Sequence, residues 1–143
     1  MEFETSVEID APRDRVWSTM VAVDEWPDWN PTTTSVELLG GPLAPDAEVR
    51  IKQPRLPTAV WKVTDFDPGT SFVWRSARPG VTTVGTHVIS AGEGGRVKVT
   101  LGIHQSGAIA PMLSVFVSGL VRRYVQMEAA SLKQRCESGA TPA

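Results

Sequence analysis

The feature that most constrains this chain is a change of hydrophobic period near its end. Before residue 106 the apolar residues fall in short runs with a period of two, as in half-buried strands. From Ile109 to Arg135 they recur at helical spacing instead: Leu113, Phe116 or Val117, Leu120 or Val121, Tyr124 or Val125, then Leu132. Six strand candidates precede that helix: Ser35–Leu39, Glu48–Gln53, Ala59–Phe66, Ser71–Ser76, Thr82–Ser90 and Arg96–Gln105. Their connectors carry turn chemistry, among them Gly40-Gly41-Pro42, Asp67-Pro68-Gly69, Arg78-Pro79-Gly80 and Gly92-Glu93-Gly94-Gly95. Connectors this short join antiparallel neighbours and leave no room for crossover helices, which argues against a doubly wound parallel sheet.

The opening adds one strand and two short helices. Phe3, Thr5, Val7 and Ile9 alternate with Glu2, Glu4, Ser6 and Glu8. Asp10-Ala11-Pro12 signals a helix start, with Asp10 near the cap and Val16, Trp17, Met20 and Val21 as the apolar stripe. Asp24 to Trp29 reads as a second short helix or turn that Asn30-Pro31 ends. The class is α+β: a seven-stranded curved antiparallel sheet wrapped around one long C-terminal helix. A single helix is narrower than seven strands. The remaining space is either filled by large side chains or left as a pocket.

With 143 residues, the chain fits one domain, taken as residues 1–136, followed by a disordered tail over 137–143. A formal net charge of -2 disfavours nucleic acid as a partner. Cys136 is the one cysteine and is expected as a plain thiol on a fraying helix end. The acidic, alternating start is unlike a secretory signal. Ser114, Ser118, Arg122 and Arg123 interrupt the apolar stretch from Ile109 to Val125, so stable membrane insertion is not expected and a cytoplasmic location is the default.

Ile9-Asp10-Ala11-Pro12 with Val16-Trp17, and then Asp24 to Pro31, resemble the opening of the polyketide cyclase/dehydrase-like group of the START/Bet v 1 (SRPBCC) superfamily. Phe72-Val73-Trp74-Arg75-Ser76, Gly85-Thr86-His87-Val88-Ile89 and the closing Ala130-Ser131-Leu132-Lys133 are similar to the same group. The resemblance runs over nearly the whole chain and implies the helix-grip fold. Members bind lipids, sterols, polyketides, plant hormones or other apolar ligands, and a few are aromatase/cyclases. It further implies that Trp74 and His87 line or border the cavity.

Five tryptophans are many for this length, and aromatic rings give ligand pockets flat walls. Alternation turns Trp61, Val63, Phe72 and Trp74 inward and Lys62, Thr64 and Arg75 outward. Trp29 sits where a cavity rim would form. His87 shares a face with Thr83, Gly85 and Ile89; alternation leaves the direction of that face open, and the resemblance turns it inward. The expected ligand-binding set is Trp29, Trp61, Phe72, Trp74, His87, Phe116, Leu120 and Tyr124, with His87 and Tyr124 as candidates for moving protons. Asp65 shares a face with Trp61, and Arg55 and Arg78 lie on loops able to overhang an opening. His104 is expected to face solvent. No metal site, cofactor or convincing acid/base carboxylate pair is expected, and Gly-x-Ser-x-Gly is absent.

Three functions fit these features. The first is a carrier or sensor that holds an apolar small molecule of lipid, polyketide or aromatic type. The second is a polyketide aromatase/cyclase or dehydratase. The third is a protein-interaction module with a filled cavity. A homodimer through the first strand is possible in each case.

Overall fold

The computed structural model describes residues 1–138. Strand β1 (Glu2–Ile9) leads into helix α1 (Arg13–Val21), a single 3-10 turn (Val23–Glu25) and helix α2 (Trp26–Trp29). Strands β2 (Ser35–Leu38), β3 (Glu48–Lys52), β4 (Ala59–Asp67), β5 (Ser71–Arg78), β6 (Val81–Ala91) and β7 (Val97–Ser106) follow, then helix α3 (Ala110–Glu137). The sheet order is β1-β7-β6-β5-β4-β3-β2, every pair antiparallel. Strands β2 to β7 form a meander, as their short connectors require. β1 is an edge strand that pairs only with β7, in the register Glu2 with His104 to Ile9 with Val97.

One apolar core joins these elements. Ile9, Val16, Met20, Val63, Phe72, Ile89, Val99 and Leu132 are almost completely buried in it. The C-terminal half of α3 closes the core through Ala129, Leu132 and Cys136. Cys136 is therefore not on a fraying end: it is fully buried as a free thiol, and burial pushes that thiol up. Glu137 likewise belongs to the helix and not to a tail. Its Oε2 accepts from the Asp10 amide at 2.7 Å and from Lys133 Nζ at 2.7 Å, which ties the end of α3 to the end of β1. Ser138 follows as the cap of α3, and the remainder of the expected tail, 139–143, lies outside the described residues.

Two local departures from the sequence pattern matter. Pro12, not Asp10, occupies the residue before α1, and its extended backbone starts the helix without a side-chain cap. In β4 the register shifts between Val63 and Asp65, so Thr64 is an unpaired bulge residue. After the bulge, Asp65 faces Val73 and Phe66 faces Phe72. The inward face thus jumps from odd to even numbers, and Asp65 is exposed rather than aimed at a cavity mouth.

A half-open aromatic cavity and its polar end

The first half of α3 stands off the sheet, and a cavity of about 240 Å³ lies beneath it. Ile51, Trp61, Trp74, Thr83, His87 and Leu101 form the sheet wall. Leu113, Val117, Val121, Tyr124, Val125 and Glu128 form the helix wall, and Trp26 reaches in from α2. These helix positions follow a stride of three or four, one stripe of an α-helix. The stripe resolves the alternatives at 116/117 and 120/121: Val117 and Val121 face the cavity. Phe116 turns outward and is 80% exposed, beside the exposed Met112 and Val115. Leu120 also lies off the lining. Both are corrections to the expected ligand-binding set. The expected faces of β5 and β6 hold.

The remaining candidates divide clearly. Trp61, Trp74, His87 and Tyr124 line the cavity; Trp29 and Phe72 do not. Trp29 packs edge-on against Trp26 with ring centres 6.1 Å apart. Phe72 is fully buried behind the wall, where its ring stacks on His87 at 4.0 Å and 10°. Arg78 reaches the lining from the end of β5 and donates to the Thr58 carbonyl, while Arg55 lies off the lining. His104 is exposed and meets Glu2 at 3.0 Å, as its outward strand position demands.

The tryptophans are held by specific contacts. The Trp26 indole N–H donates to the Met20 carbonyl at 3.1 Å. Trp74 lies 5.5 Å from both Trp26 and Trp61 between ring centres. Gly85 on β6 leaves room for that ring: a Cβ there would lie 2.7 Å from Trp74 Nε1. The Tyr124 hydroxyl donates to the Pro54 carbonyl at 2.5 Å. That bond ties α3 to the β3–β4 loop across the outer end of the cavity, so Tyr124 is a strut before it is an acid. Tyr124→Phe is expected to lower stability by about 1 kcal/mol in urea unfolding with the fold unchanged. An unchanged midpoint would show that the strut carries no load.

The polar end holds a pair that the sequence did not suggest. His87 Nε2 lies 3.9 Å from Glu128 Oε2. His87 is 4% exposed, and the Glu128 side chain keeps 19%, on the wall of the cavity that it lines. Burial holds the imidazole down at about 4, against the hydrogen bond to Phe72, so His87 is neutral at pH 7. Burial pushes the Glu128 carboxyl up to about 7, against the hydrogen bond from Asn30. His87 Nδ1 lies 3.3 Å from the Phe72 carbonyl, which only accepts, so Nδ1 carries the proton and Nε2 presents a lone pair. Asn30 Nδ2 donates to Glu128 Oε1 at 3.4 Å, while Asn30 Oδ1 accepts from the Thr32 amide and hydroxyl. Asn30 is thereby oriented as a donor. Sequence reading missed Glu128, Asn30 and the lining role of Trp26. The helical stride through Val121 and Val125 would have reached Glu128; a lone acid at the end of an apolar stripe reads as a solvent boundary.

Residues 1–137 match the profile of a family described as polyketide cyclase / dehydrase and lipid transport. The chain belongs to that family. Among solved structures, the Zhui aromatase/cyclase from Streptomyces sp. R1128 is similar at 19% identity, with a TM-score of 0.79 over 99% of this chain and 96% of that one. TTHA0849 from Thermus thermophilus is similar at 17% identity, with a TM-score of 0.77 over 99% and 100%. Ara h 8.0201 is similar at 16% identity, with a TM-score of 0.62 over 92% and 97%. Identities this low speak for a shared helix-grip fold alone. No curated protein sequence matches this chain. Among the described residues, no helix of this polyketide cyclase/dehydrase family member is long and apolar enough to cross a membrane.

Proposed function

We propose that the chain binds a compact apolar molecule with one hydrogen-bonding group inside the cavity, as a carrier or sensor. The observation that carries this reading is a cavity walled by Trp26, Trp61 and Trp74 in which His87 and Glu128 meet at 3.9 Å. Size narrows the class. An apolar cavity of ~150 Å³ holds benzene, and drug-sized ligands occupy ~300–1,000 Å³. About 240 Å³ suits one or two rings or a short acyl chain. Burying about 300 Å² of apolar surface contributes about 7 kcal/mol, and association costs about 4 kcal/mol or more. Selectivity must then come from the polar end.

The probe is 2-naphthol, followed by its fluorescence. One site per chain with Kd on the order of 1 mM is expected, from the ~3 kcal/mol left by apolar burial and ~1 kcal/mol from one hydrogen bond. Val121→Trp, which fills the cavity from α3, is expected to abolish binding without unfolding the chain. Absence of saturable binding by the wild type, or binding undiminished in Val121→Trp, would sink the reading.

One observation favours a second reading, catalysis of the aromatase/cyclase or dehydratase type. A neutral imidazole lone pair beside a carboxyl that exchanges its proton near pH 7 suits general acid–base work. Loss of turnover in His87→Asn with 2-naphthol binding retained would favour it.

A further inference from the structure

Above about pH 7, where Glu128 is ionised, His87 Nε2 and Glu128 Oε2 are two acceptors that converge 3.9 Å apart, too far for a direct bond. His87 already donates from Nδ1 to Phe72, and Asn30 serves only the other carboxylate oxygen, Oε1. Among the described residues no lysine or arginine pairs with Glu128. A carboxylate set among aromatic rings without a cation is costly, and buried charges are normally paired. The surroundings suit a cation. The Trp26 and Trp74 ring centres lie 6.2 and 5.2 Å from that of His87, which puts two indoles near the pair, and an indole attracts a cation that comes to lie over its face. An ammonium group supplies the missing parts together: donors for both acceptors and a charge for the carboxylate.

We propose that the cavity takes a small organic amine in its cationic form, with the ammonium between Glu128 and His87 beside the Trp26 and Trp74 indoles and the apolar body along the helix wall. The proposal rests on the reading of the cavity as a binding site and names the polar group of its ligand. The other titratable groups on the lining are Arg78, a cation that lies six residues along β5 from Phe72, the strand partner of His87, and donates to the Thr58 carbonyl, and Tyr124, which is bonded to Pro54. His87 stays neutral above about pH 5 and does not repel the cation.

The test compares two probes of the same shape: 2-phenylethylamine, a cation, and propylbenzene, which has a methyl group in place of the ammonium. Binding is read by calorimetry and tryptophan fluorescence at about pH 8.5 and about pH 5.5, either side of the Glu128 value of about 7. The amine is expected to bind at least about tenfold more tightly at the higher pH. That advantage should collapse at the lower pH, where Glu128 is protonated, and in Glu128→Gln. Equal or tighter binding of propylbenzene at the higher pH overturns the proposal, as does an amine advantage that survives both low pH and Glu128→Gln. Failure of both probes would overturn the cavity reading as well. The wild-type pH comparison stands even if the variant fails to fold.

Discussion

His87→Asn and Glu128→Gln are expected to depart from the wild type with opposite pH dependences of stability. Glu128 is raised from 4.5 to about 7 on folding. Its favourable contribution is therefore full below pH 4.5 and is lost as the pH rises through about 7. His87 is lowered from 6.5 to about 4, so its contribution is full above pH 6.5 and is lost as the pH falls through about 4. Each displacement is worth about 3 kcal/mol. In the wild type the two nearly cancel between pH 4.5 and 6.5. There the folded pair holds one proton, on Glu128, and the unfolded pair also holds one, on the histidine. Removing either partner unmasks the other. Relative to the wild type, Glu128→Gln should gain about 3 kcal/mol as the pH rises from 4.5 to above 7, and His87→Asn should gain as much as the pH falls from 6.5 to 4. Urea unfolding from pH 4 to 8 measures both. Differences that stay flat with pH would show that folding does not desolvate the pair.

Gly107→Ala is expected to cost about 3 kcal/mol, although the site lies outside the core. Gly107 joins β7 to α3 at φ +117, a conformation that L residues rarely adopt. A Cβ there would lie 2.5 Å from the Gly80 carbonyl oxygen, which is backbone and cannot swing aside. That same oxygen accepts from the Ile109 amide at 2.9 Å, the bond that seats the start of α3. Relief therefore requires α3 to shift at its entry, where Leu113 and Val117 roof the cavity. Thermal unfolding should show a large fall in Tm, and 2-naphthol binding should weaken in parallel. A Tm within a degree or two of the wild type would mean that the junction yields freely.

The legible parts of this protein are those set by local periodicity. The period-two runs gave seven strands to within a few residues, because a pleated strand buried on one face must alternate. Turn residues at Asp67-Pro68-Gly69 and Arg78-Pro79-Gly80 gave the antiparallel meander, because they cannot continue a strand. Inward faces followed wherever alternation ran unbroken, as for Trp61, Phe72 and Trp74. The bulge at Thr64 broke it and carried Asp65 outward, an event that depends on how β4 fits β5 and leaves no mark in β4 alone.

The site itself was only half legible. The apolar stripe of α3 fits two phases that differ by one residue, about 100° around the helix, and packing over the sheet chose Val117 over Phe116. His87 and Glu128 stand on different elements, far apart in sequence; the resemblance singled out His87, whereas nothing in the chain around Glu128 marked it as a partner. The curvature of the sheet and the lie of α3 bring them to 3.9 Å and dry them together. Sequence alone determined which elements form and most of the faces they bury, since both follow from contacts between residues close in the chain. The tertiary structure decided which acid meets which base and what each protonates at, since desolvation acts only after distant segments have closed around a group.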